Sequence, residues 1–116
     1  MVDALRHGRG KYAGVAMIDE SFSDADIAAL HDAGVRGTRF NFVAHLGGAP
    51  ELDVFWRLVD SVQPFGWHIV LHFDAKDLPD YAGLLDRMPC PYVIDHMARV
   101  PTADGVDQAP FQALLE

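Results

Sequence analysis

Two rhythms of apolar and polar positions take turns along this chain. Short apolar runs occur at Tyr12–Asp19 (YAGVAMID), Val35–Phe42 (VRGTRFNF), Trp67–Phe73 (WHIVLHF) and Pro91–Ile94 (PYVI). Their length and their β-branched and aromatic content predict strands. In the second run Thr38, Phe40 and Phe42 fall on one face, because side chains alternate along a strand. The run at Pro91 reads as a buried strand that stops in Asp95, His96 and Arg99.

Between these runs the spacing lengthens to that of a helix. Ser23 and Asp26 form a capping-box pattern ahead of Ile27 and Leu30, and Gly34 closes that segment. From about Glu51 to Gln63, Phe55, Leu58, Val59 and Val62 sit at i, i+3, i+4 and i+7, with Gly66 as the stop. Asp77 is placed to cap a third helix carrying Tyr81, Leu84, Leu85 and Met88. Asp107 and Pro110 open a fourth with Phe111, Leu114 and Leu115, and Val2–Arg6 resembles the last turn of a helix.

Strand followed by helix four times over, with strands too apolar to face water, predicts a parallel sheet in an α/β protein. Strand starts at Tyr12, Val35, Trp67 and Pro91 lie 23, 32 and 24 residues apart, near the roughly 30 residues of a βα unit in a (β/α)8 barrel. A doubly wound sheet has similar spacing. The turn after the first strand (DESFSD, 19–24) lacks a glycine-rich phosphate loop, however, which removes the main support for a dinucleotide fold. Four units make half a barrel. The expectation is therefore a TIM-barrel segment, one partial domain over residues 1–116, cut at both ends, with edge strands that invite self-association.

Composition narrows the partners. Nine basic against seventeen acidic residues give a net charge of −8, without the basic footprint that a phosphate backbone needs. Nucleic acid is not expected. No apolar stretch reaches membrane-spanning length and no secretory signal opens the chain, so no membrane is expected either. The lone Cys90 permits no internal disulfide and fits a reducing compartment, so the default location is the cytoplasm.

In parallel α/β folds chemistry gathers at the carboxyl ends of the strands. Those ends supply Asp19 and Glu20, then Arg39, Asn41 and His45, then His72 and Asp74, and finally Asp95, His96 and Arg99. Asp19 and Glu20 read as the start of a solvated loop. Arg39, inside a strand, needs either an ion-pair partner or an anionic ligand. His68, at the start of its strand, reads as structural, while His72, four residues on and on the same face, is at the productive end. His96 lies between an acid and a guanidinium. Its imidazole can polarise a carbonyl, move protons or bind metal, and Arg99 can hold a carboxylate.

The segments GVRGTRFNFV (34–43), GWHIVLHFDAKDLP (66–79) and VIDHMAR (93–99) together resemble the amidohydrolase superfamily, in its 2-pyrone-4,6-dicarboxylate lactonase-like group. The similarity runs in order over nearly the whole chain. It implies a (β/α)8 barrel, of which strands two to five would be present, and hydrolysis of a lactone or related carboxylic derivative. Arg39 would then grip a substrate carboxylate, and His96 would polarise the scissile carbonyl or ligate a divalent ion. His72 stands where the group has a tyrosine, and His45 where it has a second arginine. Both departures weaken the case for a dicarboxylate. The superfamily's His-x-His pair does not occur in this sequence, nor is an eighth-strand Asp base within four strands. A catalytic zinc needs about three protein ligands, so a metal such as zinc and no metal at all both stay open.

The leading expectation is thus a lactone hydrolase with His96 catalytic and Arg39, Asn41, His45, His72 and Arg99 around a small anionic lactone or carboxylate. A non-catalytic half barrel that binds ligand or self-associates, and a decarboxylase of the same superfamily, are the rivals.

Overall fold

The computed structural model describes residues 1–43 and 51–116. Five α-helices, α1 (Val2–His7), α2 (Asp24–Ala33), α3 (Leu52–Val62), α4 (Leu78–Asp86) and α5 (Ala109–Leu115), alternate with four strands, β1 (Gly14–Ala16), β2 (Val35–Asn41), β3 (His68–His72) and β4 (Tyr92–Ile94). The strands form one sheet in the order β1-β2-β3-β4, every neighbouring pair parallel. This is the expected arrangement, and it follows from helical returns that bring each new strand alongside the last.

Local signals account for the helix ends. Ser23 Oγ accepts from the Asp26 backbone N–H while the Asp26 carboxylate accepts from that of Ser23, completing the capping box, and Gly34 closes α2 at φ 112°. A left-handed C-terminal residue of this kind favours glycine. Gly66, at φ 68°, ends the short 3-10 turn that follows α3. Asp77 does occupy the N-cap of α4, but its side chain makes no capping bond. The backbone there continues a preceding helical turn at Ala75–Asp77, so the carboxylate is not aimed at the free N–H groups.

One sheet face is the core. Thr38 pairs with Ile69 and Phe40 with Leu71, and these four are all buried beneath Phe55, Leu58, Val59 and Val62 of α3. The Phe55 ring meets Phe40 and Phe42 edge to face, at 4.8 and 5.6 Å between centroids. At the amino end of the sheet Trp67 is fully buried, and its indole N–H donates to His31 Nδ1 at 3.0 Å. His31 is therefore a structural partner, in line with its place on a helix away from the strand ends.

The other face carries Gly37, Arg39 and Asn41 of β2 opposite His68, Val70 and His72 of β3. His68 lies over Gly37 so closely that a Cβ on that glycine would stand 2.5 Å from the imidazole. The histidine expected to be structural is held by a glycine gap in the next strand.

Four expectations change. The Tyr12–Asp19 run pairs only at Gly14–Ala16, with a register shift after Gly14, and Tyr12 and Met17 are exposed. The apolar β4 is not buried, since Tyr92 is 42% and Val93 51% exposed. Among the described residues each of these strands has a single neighbour, which leaves one edge of its ladder open. In α5, Phe111 and Leu114 are half-buried, whereas Leu115 faces solvent. Met88 lies beyond the end of α4 yet still packs against the core.

Candidate active site

Arg39 and Asn41 end β2, His72 and Asp74 end β3, and Asp95, His96 and Arg99 follow β4. Parallel pairing aligns these ends in one row. Arg39 Nη2 is 2.8 Å from Asp95 Oδ2 and 3.0 Å from His72 Nδ1. The guanidinium in the strand thus has an internal carboxylate partner, as its burial cost requires. Its Nε–H is buried with no acceptor among the described residues. Such an orphaned donor costs about 1–3 kcal/mol.

His72 is 7% exposed, and its ring meets that of His96 edge-on with centroids 5.2 Å apart. Burial foremost, then the Arg39 charge and that of His96, lowers the His72 imidazole below the usual histidine range, against a smaller opposing pull from Asp95. His72 therefore stands neutral beside a cation.

His96 is itself open to solvent, and its Nε2 lies 3.6 Å from Asp95 Oδ2. Arg99 Nη1 pairs with Asp74 Oδ1 at 3.1 Å. The sequence expectation left Arg99 free for an anionic group, but the tertiary structure gives it a carboxylate from the neighbouring strand end. Asn41 Oδ1 accepts from the Val43 backbone N–H at 3.0 Å and so shapes the loop exit. His45 lies outside the described residues. Asp19 accepts from the Ser21 N–H and hydroxyl, which makes it the start of a turn, as its loop reading anticipated.

The segment that presents His96 has an unusual backbone. His96, Met97, Ala98 and Arg99 all have positive φ, between 49° and 53°, a left-handed helical turn built without glycine. Each such residue costs about 1–2 kcal/mol. Ala98, fully buried, anchors the turn from below. The Arg99–Asp74 pair and the bond from the His96 backbone N–H to Asp95 Oδ1 at 3.1 Å hold its two ends. Nothing in DHMAR announces this conformation. Asp74 and Asp95 were visible as strand-end acids, but their role as arginine partners was not.

No group of three or more His, Cys, Asp or Glu among the described residues is placed to hold a metal ion. His72 is buried with its Nδ1 against Arg39 Nη2, which leaves His96, 64% exposed, as the available imidazole in the row. These residues do not by themselves make a metal centre.

The amidohydrolase family model matches residues 1–116. The chain is 41% identical to a 2-pyrone-4,6-dicarboxylate hydrolase of Comamonas testosteroni, over all of this chain and 38% of that protein. It is 32% identical to a 4-sulfomuconolactone hydrolase of Rhizobium radiobacter, over 99% of this chain and 39% of that protein. A crystal structure from Pseudomonas putida, named as a 2-pyrone-4,6-dicarboxylic acid hydrolase, superposes with a TM-score of 0.83 at 32% identity, covering 98% of this chain and 42% of its own. A second, from Acinetobacter baumannii, reaches a TM-score of 0.82 at 24% identity and bears on the fold alone. The chain thus spans about two fifths of the length of the relatives it matches. Its four parallel βα units agree with a segment of a TIM barrel. With the family model matching from first residue to last, this chain belongs to the amidohydrolase family.

Proposed function

We propose that the protein hydrolyses a lactone or cyclic ester of a small carboxylated substrate. The observation that carries this reading is the convergence of Arg39, His72 and His96 on one row of strand ends, within a chain whose relatives are named lactone hydrolases. His96, exposed and without a strong internal partner, polarises the scissile carbonyl. Arg39, whose side chain is 33% exposed although its Nε–H is buried, orients the substrate carboxylate, and Arg99 is held by Asp74 at the next strand end. Asp95 and Asp74 are committed to the arginines, so neither is the base that activates water. If a divalent ion takes part, His96 is the described residue suited to hold it, and the ion would supply Lewis acidity at the carbonyl.

In the intact protein, His96→Ala lowers kcat on a lactone substrate by about 100-fold or more, while Arg39→Ala acts mainly by raising KM. Wild-type turnover by the His96→Ala protein removes the role given to that residue. Carbon dioxide release with no ring opening would point to decarboxylation instead.

A second reading has its own support. Val15 (43% exposed) and Val93 (51% exposed) lie on the polar-cluster face of the sheet, and β1 and β4 each have one neighbour. That face and those edges suit self-association of the chain.

A further inference from the structure

Near the start of the chain, the stretch RHGRGK (6–11) carries three of the nine basic side chains. It folds into a fixed turn. The Gly8 N–H donates to the Ala4 carbonyl at 2.9 Å, and the Lys11 N–H to that of Gly8 at 3.0 Å. The Tyr12 ring lies across Gly8, where any Cβ would collide with it. Arg9 takes φ 48°, a left-handed backbone that glycine or asparagine adopts at less cost. The turn itself therefore gives no reason for an arginine at this position.

This turn forms one side of a cleft of about 400 Å³, and the last turn of α2 with the start of β2 forms the other. Arg6, Arg9 and Arg36 line it together with Asp32, Tyr12 and Gly10. Arg36 is anchored, because its Nη1 donates to the His31 and Val35 carbonyls, each at 2.7 Å. That contact offsets the negative carbonyl end of α2 and leaves the Nε and Nη2 donors outside it. Arg6 and Arg9 have no ion-pair partner among the described residues, although Asp32 lines the same cleft. At the opposite end of the sheet Arg39 and Arg99 both hold carboxylates. Three guanidiniums against the one carboxylate of Asp32 leave a local excess of two positive charges, in a chain whose net charge is −8.

Two charges match a phosphoryl dianion, which carries about −1.5 to −2 at neutral pH. Guanidinium forks fit its oxygens bidentately. The cleft is on the scale of small-ligand sites.

We propose that the cleft between the 6–12 turn and the end of α2 is an anion site, in which Arg6, Arg9 and Arg36 bind a phosphoryl dianion. It lies apart from the strand-end row and does not depend on the lactone-hydrolase reading.

Calorimetric titration of the intact protein with inorganic phosphate and with glycerol 3-phosphate, at constant ionic strength, tests this. Saturable binding is expected, with succinate, whose two charges sit on separate carboxylates, binding about tenfold more weakly. Arg9→Gln alters an exposed side chain with no ion pair to lose. It is expected to weaken phosphate binding about tenfold while the thermal midpoint stays in place. Lys76→Gln, the same charge loss at the other end of the sheet, is expected to leave binding unchanged. Sedimentation with phosphatidylcholine vesicles, with and without phosphatidic acid, separates the sources of the phosphoryl group. Capture that needs phosphatidic acid and is lost in Arg9→Gln supports the site with a lipid headgroup as its carrier. Equal binding by wild type and Arg9→Gln, equal affinity for succinate, or no saturable binding to phosphate, phosphate ester or acidic vesicle overturns the proposal.

Discussion

At the scale of single residues, the row of strand ends is a chain of dependencies. Asp95 holds Arg39, Arg39 contacts His72, and His72 abuts His96. One consequence concerns pH. Because burial and then Arg39 lower the His72 pKa, the folded protein takes up that proton less readily than the unfolded chain, where histidine titrates near pH ~6.5. The contribution of neutral His72 to stability is fully present above that value. It is lost as pH falls toward the depressed folded pKa. Urea unfolding at a series of pH values is expected to show wild type losing stability faster than His72→Gln as the medium is acidified below pH ~6.5. Parallel profiles for the two proteins would mean that the histidine is not held neutral.

At the scale of elements, two backbone arrangements set where the side chains go. Gly37 lets β2 and β3 approach with His68 lying across the gap. Gly37→Ala is expected to cost about 1–3 kcal/mol, and adding His68→Ala to return part of it, because the clash is with that ring. Denaturation of the single and double variants checks this, and additive losses would show that the close approach is not the cause. The left-handed turn at 96–99 stores strain in residues that gain nothing from it locally. Met97 is 70% exposed, so Met97→Gly removes about 1–2 kcal/mol of strain against about 0.5–1 kcal/mol of added chain entropy. A small rise in unfolding midpoint is the expected result. Ala98→Val, by contrast, puts a branched side chain at positive φ in a fully buried position and is expected to destabilise markedly.

At the scale of the molecule, a parallel sheet covered by helices on one side presents Val15, Val93 and the polar row on the other. Parallel sheets are ordinarily covered on both faces. Light scattering of this chain is therefore expected to show mass rising with concentration, and Val93→Lys to reduce that rise. A single monomeric species at every concentration would argue against association through this face. Among the described residues no helix is long and apolar enough to cross a membrane.

How much of this was legible in the chain depends on the range of the interaction. The α/β class, the four strand positions, the capping box at Ser23 and the buried stripe of α3 all follow from periodicity and short-range hydrogen bonding, and the structure agrees with them. The segments at 34–43, 66–79 and 93–99 likewise sufficed to point to the amidohydrolase family. Only the tertiary structure decided that Arg39 and Arg99 take their carboxylates from Asp95 and Asp74, and that the apolar β4 is exposed where a buried strand was expected. It also turned DHMAR through a left-handed course. Each of these joins residues on different strands or sets local strain against distant packing. A periodic pattern reports which face a residue occupies, whereas its partner across that face is fixed only once the strands are side by side.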